Sequence, residues 1–159
     1  MSGLEQLVRP ELVSITPTVT TAEQVIRTLA DLLVAGGFAA PTLADAAVAR
    51  EAGYPTGLLL GGDGTNAAIP HADSEHVTES AVAVAVLDHP VDFHRMDAPD
   101  EAIPVRVVAL LALADADSQL ATLRQIAALL QDPARIAALA AARTADGVIA
   151  ALAAGKGDE

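Results

Sequence analysis

Two stretches of the sequence are apolar almost without interruption, and both have the length of a β-strand. Residues 81–87 read AVAVAVL and residues 105–113 read VRVVALLAL. Continuous rather than alternating hydrophobicity is typical of strands that are covered on both faces. Shorter strands are predicted at residues 12–15 and at residues 91–93, the latter after a break at Pro90. The pattern therefore predicts a central sheet with a layer on each side.

Apolar residues at helical spacing predict helices before and after these strands. The first helix is expected to begin at a capping box in residues 20–24 (Thr20 or Thr21 as cap, Glu23 and Gln24 behind it) and to end at Gly36-Gly37. A second helix is expected to open at Pro41 and to end at Gly53. The buried stripe of the first helix is predicted from four residues, Val25, Leu29, Leu32 and Leu33.

The final third of the chain has the pattern of three further helices. The first of them covers residues 118–131, a second starts at Asp132-Pro133, and a third is capped by Thr144. The apolar residues Leu120, Leu123, Ala127 and Leu130 form one stripe on the first of these helices.

Strands covered on both faces and interspersed with helices define the expected fold class. It is α/β, a three-layer α/β/α single domain with a mixed central sheet. The length of 159 residues suits one domain, which we assign to residues 1–159, with a frayed tail at about 155–159. Aromatic residues make up only 2 % of the chain, which favours helix–sheet packing built from Val, Leu, Ile and Ala.

Charge and composition narrow the classes of function. The formal net charge is −12, with one lysine and eight arginines, so the basic footprint of a nucleic-acid-binding protein is missing. The absence of cysteine excludes disulfides, thiolate metal sites and a cysteine nucleophile. No apolar run approaches the ~20 residues of a membrane helix, and the N-terminal residues lack the pattern of a signal peptide. We therefore expect a cytoplasmic protein without direct membrane insertion.

The segment from residue 54 to residue 73 carries the most informative chemistry. It is rich in turn residues and ends in Ile-Pro-His-Ala-Asp, with His71 directly after Pro70. Proline fixes its own φ and biases the preceding residue toward an extended conformation, so the imidazole is presented rigidly, and neutral imidazole is a nucleophile near pH 7. The glycines of this segment leave backbone N–H groups open to anionic oxygens, namely Gly57, Gly61, Gly62 and Gly64. These residues suit a phosphoryl-accepting histidine, but taken alone they also fit an ordinary histidine in a surface loop.

The sequence around His71 resembles that of a known protein family. The segment REAGYPTGL, followed by AAIPH, resembles the signature of enzyme IIA proteins of the fructose/mannitol superfamily of the phosphotransferase system. Within that superfamily the sequence is most similar to the galactitol branch. The resemblance runs from about residue 12 to residue 152. It implies a phosphotransferase component without a cofactor, in which the carrier protein HPr phosphorylates His71 and His71 passes the group to an enzyme IIB during uptake of a sugar or polyol. It also implies attachment at Nε2, with Nδ1 held by a backbone acceptor.

The resemblance assigns roles to three further residues. Arg50 is expected to neutralise the phosphoryl oxygens through its guanidinium; the alternative is a helix-end cation paired with Glu51 or another acid. Thr56 is expected either to donate a hydrogen bond to the phosphate or to stabilise a turn. Gln119 stands where many relatives have a second histidine, and it can donate a hydrogen bond but cannot share a charge. The partner proteins are expected to dock around His71 on an apolar patch with an acidic rim.

Three other interpretations of the function remain open on the sequence alone. His71, Asp73 and His76 have a spacing that suits metal ligands, with His89 and His94 in reserve, and would indicate a metal-dependent hydrolase. A protein of the same fold can act as a regulator that is switched by phosphorylation. Finally, the alanine-rich helices after residue 118 offer surfaces for a homodimer or for a purely structural role.

Overall fold

The computed structural model describes residues 4–60 and 65–153. The predicted frayed tail and three of the four glycines singled out in the sequence, Gly61, Gly62 and Gly64, lie outside the described residues. The helices are α1 (Leu4–Leu7), α2 (Ala22–Ala35), α3 (Leu43–Gly53), α4 (Ala116–Leu130), α5 (Pro133–Ala141) and α6 (Ala145–Ala153). The strands are β1 (Val13–Ile15), β2 (Gly57–Leu58), β3 (Ala67–Ala68), β4 (Ala81–His94) and β5 (Ala102–Ala112). Short 3-10 turns lie at Pro10–Leu12 and Ser74–His76.

The five strands form one mixed sheet in the order β1-β4-β5-β3-β2. The β1/β4 and β3/β5 pairs are parallel, whereas β4/β5 and β2/β3 are antiparallel. Alternate residues of β4 belong to two separate apolar clusters. Ala81, Ala83 and Ala85 pack in one cluster with residues of α2 and α3. Val82, Val84 and Val86 pack in the other with residues of α4, α5 and α6. The sheet is thus covered on both faces, and the predicted three-layer α/β fold with a mixed sheet is confirmed.

The predicted break at Pro90 is wrong, because β4 continues through it to His94. The pairing with β5 shifts register between Val86, which lies opposite Val107, and Val91, which lies opposite Val105. Pro90 is exposed and lies inside this irregularity. Since proline has no N–H for the ladder, an irregular pairing tolerates it where a regular central strand does not.

Helix α2 begins and ends where the sequence predicts, and α3 ends where predicted, at Gly53. Thr21 caps α2, its Oγ1 accepts the Gln24 N–H at 3.2 Å, and the Gln24 side chain completes the capping box. Residues Gly36 and Gly37 follow the last turn, and Gly37 has a φ of +86°, which favours glycine. The second helix, however, begins at Leu43 and not at Pro41.

Helix α4 buries a different stripe from the apolar one that the sequence indicates. Leu120 is 53 % exposed and Leu123 is 45 % exposed, whereas Thr122, Ile126 and Leu129 are buried, and the last two belong to the apolar cluster that includes the sheet. The helix therefore presents leucines to solvent near its N-terminal end. In the described ranges, 4–60 and 65–153, no helix combines the length and hydrophobicity that a membrane crossing needs.

Candidate functional site

His71 lies at the edge of the sheet because the chain keeps pairing with β5 after β3 ends. Ala67 and Ala68 lie opposite Val107 and Val108, and the Leu111 N–H donates to the Pro70 carbonyl at 3.0 Å. His71 itself forms an isolated parallel bridge with Leu111. A segment that the sequence indicates only as turn-rich is thus fixed to the central sheet, and the half-buried imidazole is fixed with it.

The imidazole of His71 is oriented by one hydrogen bond to the backbone. Its Nδ1 lies 3.1 Å from the carbonyl oxygen of Ile69. A carbonyl oxygen can only accept, so in the neutral ring Nδ1 carries the proton and donates it. The lone pair of the neutral imidazole is then on Nε2, which makes Nε2 the nucleophilic atom.

Thr56 connects the end of helix α3 to the residues that precede His71. The Thr56 N–H donates to Oε2 of Glu51 at 2.8 Å, and the Thr56 hydroxyl donates to Oε1 at 2.8 Å. Oγ1 of Thr56 in turn accepts the Ile69 N–H at 3.2 Å. Because Thr56 is only 3 % exposed and its hydroxyl proton is directed at Glu51, this geometry matches the turn-stabilising role that the sequence left open for it.

Glu51 is a buried carboxylate with a perturbed acidity. It is 8 % exposed, and burial raises the pKa of its carboxyl group above the usual 4.5. The two hydrogen bonds from Thr56 and the charges of Arg50 and His94 oppose part of that rise in the pKa. The carboxylate is thus held in place by Thr56 donors.

Arg50 lies in the last turn of α3, one residue before Glu51, and its charge acts on the Glu51 carboxylate without forming an ion pair with it. Within the described part of the chain, none of the ion pairs includes Arg50. Its guanidinium lies 5.4 Å from the ring centroid of Tyr54, and its buried Nε has no hydrogen-bond partner among the described residues. A half-buried cation with an unsatisfied donor is suited to receive an anionic group.

Gln119 and His71 line the same pocket, at the N-terminal part of α4. The pocket is lined by six residues, His71, Ala72, Leu111, Leu113, Gln119 and Leu123. The structure therefore brings His71 and Gln119 together in this pocket. Thr56 and Arg50 do not line it: Thr56 is hydrogen-bonded to the Ile69 N–H, and Arg50 lies in the last turn of α3. The sequence pattern placed Leu123 in the apolar stripe of this helix but did not predict that it is exposed beside His71. Helical spacing does not show which side of α4 faces the sheet.

Gly57 is a glycine for a structural reason. A Cβ at this position would lie 2.5 Å from the carbonyl oxygen of His94. The Gly57 carbonyl also accepts the Met96 N–H at 2.8 Å, so the β4–β5 hairpin lies directly against it. The close approach of this hairpin requires the missing side chain.

The residues proposed for a metal site do not converge. Nδ1 of His76 lies 2.8 Å from the Thr42 hydroxyl, Nδ1 of His94 lies 2.7 Å from the Pro99 carbonyl oxygen, and His89 lies beside Asp88. In residues 4–60 and 65–153, no three His, Asp or Glu side chains are grouped as metal ligands. The geometry gives no support to the hydrolase alternative.

Comparison with solved structures identifies the same fold in enzyme IIA proteins. The mannitol-specific cryptic phosphotransferase enzyme IIA CmtB from Escherichia coli has a TM-score of 0.78 and 18 % identity, covering 97 % of this chain and 100 % of that protein. The IIA component in the complex of enzyme IIAMTL and phosphorylated enzyme IIBMTL from Escherichia coli has a TM-score of 0.71 and 24 % identity, covering 93 % of this chain and 99 % of that protein.

Sequence comparison goes further than the fold. The PTS system galactitol-specific EIIA component of Escherichia coli K12 is 31 % identical over 110 residues, which are 69 % of this chain and 71 % of that protein. A family model described as "Phosphoenolpyruvate-dependent sugar phosphotransferase system, EIIA 2" matches residues 6–155. The chain belongs to this EIIA 2 family. It is accordingly a phosphotransferase component with a phosphoryl-carrier role in sugar uptake, of the class that works through a phosphohistidine intermediate.

Proposed function

We propose that this protein carries its phosphoryl group on Nε2 of His71, accepting it from HPr and passing it to an enzyme IIB in the cytoplasm. The observation that carries the proposal is the hydrogen bond from Nδ1 of His71 to the Ile69 carbonyl oxygen. Because this bond keeps the proton on Nδ1, Nε2 attacks phosphorus without first losing a proton. The new P–N bond forms as the P–N bond of the donor breaks, and the donor imidazole keeps the electron pair. In the transfer to the IIB partner, the P–N bond at Nε2 breaks as the phosphoryl group bonds to the acceptor atom of IIB, and Nε2 keeps the electron pair.

Charge neutralisation is the task that we assign to Arg50. Phosphoryl transfer needs little covalent help from the protein, and positioning with electrostatic stabilisation supplies most of the catalysis. The segments Thr56–Gly57 and Ala68–Ile69 run side by side, so the end of α3 with Arg50 lies close in the fold to the His71 segment. The unpartnered Nε of Arg50 supports a role in which its guanidinium binds the equatorial oxygens when the phosphoryl group arrives.

Thr56 and Gln119 are proposed to assist in different ways. Gln119 shares a pocket with His71 and can donate a hydrogen bond to a phosphoryl oxygen from its side-chain amide. The Thr56 hydroxyl already donates to Glu51, and we therefore assign Thr56 to positioning rather than to direct phosphate contact.

Replacing Gln119 by alanine is expected to lower the rate of phosphoryl transfer by about fivefold, the value of one hydrogen bond near 1 kcal/mol. Quenched-flow measurement of phosphorylation by excess HPr checks the effect. Gln125→Ala, on the same helix, is the matched control. Equal rates for wild type and Gln119→Ala would remove Gln119 from the phosphate site.

The partner surface that we propose is the exposed apolar part of α4 beside His71. Leu120 and Leu123 are both exposed, and Leu123 lines the pocket that contains His71. Leucines at such a location are suited to the apolar centre of a transient interface. The structure of a mannitol IIA with its phosphorylated IIB shows that a protein of this fold docks such a partner.

Replacing Leu123 by glutamine is expected to raise the KM for phosphorylated HPr about tenfold while kcat changes little, because the change removes apolar contact and leaves the reacting atoms in place. Steady-state transfer at varied HPr concentration measures both constants. Leu59→Gln is the control: Leu59 is also exposed, at 53 % against 45 % for Leu123, but it follows β2 on the side that leads away from His71. A KM unchanged in Leu123→Gln would exclude this patch from HPr docking.

The transported compound is proposed to be a polyol, with galactitol as the first candidate. The 31 % identity to a galactitol-specific EIIA component supports this choice. The test is onward transfer from the phosphorylated protein to galactitol-specific and mannitol-specific IIB proteins in parallel. Faster transfer to the galactitol IIB is expected. Transfer to neither IIB, combined with capture of a kinase or transcription regulator from the native cell, would favour the regulatory alternative.

A further inference from the structure

A continuous chain of hydrogen bonds leads from helix α3 to the imidazole of His71. Glu51 accepts the Thr56 hydroxyl proton, Thr56 accepts the Ile69 N–H, and Ile69 accepts the Nδ1 proton of His71. We propose that Glu51, acting through Thr56 and Ile69, is a positioning residue that fixes the orientation and the tautomer of His71 for phosphoryl transfer. The inference rests on His71 as the phosphoryl acceptor.

Ile69 is the residue through which these hydrogen bonds act on His71. Its carbonyl oxygen decides which imidazole nitrogen carries the proton, and its direction sets the plane of the His71 ring. The N–H of Ile69 is bound at Thr56, by Oγ1 at 3.2 Å and by the carbonyl oxygen at 3.4 Å. Thr56 thus holds the N–H side of Ile69, and the following Pro70 restricts the backbone of Ile69, so the carbonyl oxygen that accepts from Nδ1 stays in place.

Glu51 determines which way the Thr56 hydroxyl points. A threonine hydroxyl rotates freely and can donate in several directions, but a carboxylate is the stronger acceptor. With its proton committed to Oε1 of Glu51, Oγ1 turns a lone pair toward the Ile69 N–H. The second bond, from the Thr56 N–H to Oε2, fixes the backbone of Thr56 as well. Both carboxylate oxygens thus serve the same threonine.

The burial of Glu51 indicates a specific use of the carboxylate. A buried carboxylate is unfavourable unless it is well satisfied, and Glu51 finds its hydrogen bonds at Thr56 and not at the adjacent Arg50. This arrangement leaves the guanidinium of Arg50 available for an incoming anion. The neighbouring residues Arg50 and Glu51 therefore serve the two sides of the reaction, the phosphoryl oxygens and the nucleophile.

The test combines a tautomer measurement with a transfer rate. The 15N chemical shifts of the His71 imidazole, recorded at a pH where the ring is neutral, report whether the proton is on Nδ1 or Nε2, and need no phosphorylation. We expect wild type to be in the Nδ1–H form. In Thr56→Val the population should move toward a mixture of both forms, and the rate of phosphorylation by HPr should fall about tenfold. Thr56→Ser, which keeps the hydroxyl, should restore both, and Thr78→Val at an exposed threonine is the matched control.

Glu51→Gln tests the first residue of the chain. A glutamine has one acceptor oxygen in place of two, so the tautomer population should shift in the same direction as in Thr56→Val, by a smaller amount. In the double variant the glutamine should add nothing further, because both changes act through the same hydrogen bond from Ile69 to Thr56. Should Thr56→Val fail to fold, Glu51→Gln decides alone. A folded Glu51→Gln protein with the wild-type tautomer and rate overturns the proposal.

The two proposals can fail separately. Wild-type protein that stays unlabelled, or that is labelled at another residue, refutes the role of His71 whatever its tautomer is. Wild-type protein that is labelled at His71, together with Thr56→Val protein of unchanged tautomer and rate, refutes only the positioning role of Glu51.

Discussion

Replacing His71 by alanine is expected to abolish phosphorylation and to leave the fold intact. The loss should be complete, because the phosphoryl group has no acceptor atom without the imidazole. The fold should survive, since the bond between the Leu111 N–H and the Pro70 carbonyl is made by the backbone, and among the described residues the imidazole bonds only to Ile69, two residues away. We expect a change in the free energy of unfolding of about 1 kcal/mol or less. The measurement is labelled phosphate transferred from phosphoenolpyruvate through enzyme I and HPr.

The control for this variant is His89→Ala. His89 is an exposed histidine beside Asp88 on β4, so its replacement tests for unspecific labelling of imidazoles at the surface. Wild type and His89→Ala should both take up an acid-labile, alkali-stable label. Label of that kind on folded His71→Ala protein would contradict the assignment of the acceptor.

Replacing Arg50 by glutamine is expected to slow phosphoryl transfer about 100-fold, with a small effect on stability. The expected rate effect follows from removing one charged donor that stabilises the transferring group. The small effect on stability follows from the structure, in which Arg50 has no ion-pair partner among the described residues and a buried Nε without a hydrogen bond. Single-turnover phosphorylation at saturating HPr separates this effect on chemistry from an effect on docking.

Two further variants sharpen the test of Arg50. Arg50→Lys keeps the charge but loses the planar fork, so its rate should lie between those of wild type and Arg50→Gln. Arg143→Gln, an exposed arginine that donates to the carbonyl oxygens of Ala140 and Ala142, controls for the loss of one positive charge. Equal single-turnover rates for Arg50→Gln and wild type would remove Arg50 from the phosphate site.

The two long strands were predictable because their burial on both faces leaves a direct trace in the sequence. The apolar run at 81–87 forms the first half of β4 (Ala81–His94), and the run at 105–113 overlaps most of β5 (Ala102–Ala112). Strands β2 and β3 were not predictable, since each has two residues and depends on its partner for pairing. Only tertiary contact with β5 distinguishes Ala67–Ala68 from the turns around it.

Helix α4 shows a second limit of sequence patterns. It carries apolar residues on two stripes, one with Leu120 and Leu123 and one with Ile126 and Leu129. Periodicity cannot tell which stripe packs on the sheet and which is left for another protein, because both have helical spacing. The structure resolves this by burying the second stripe, and the first becomes the proposed partner surface.

Within the site, chemistry was easier to predict than connections. Pro70-His71 indicated a rigidly presented imidazole, and the resemblance to enzyme IIA proteins added an Nδ1 acceptor, for which the structure supplies Ile69. The two hydrogen bonds from Thr56 to Glu51 were not predicted. The spacing of a glutamate five residues before a threonine, across a helix end, was their only signal in the sequence. Buried hydrogen bonds of this kind depend on tertiary packing that periodicity does not report.

The most direct test of the central claim is nuclear magnetic resonance of the phosphorylated protein with 15N-labelled histidines. Phosphoenolpyruvate, enzyme I and HPr generate the phosphorylated form, and one-bond coupling between 31P and 15N identifies the nitrogen that carries phosphorus. We expect one coupled nitrogen, Nε2 of His71, with Nδ1 still protonated and bonded to Ile69. Coupling to Nδ1 of His71 or to any other histidine would contradict the account.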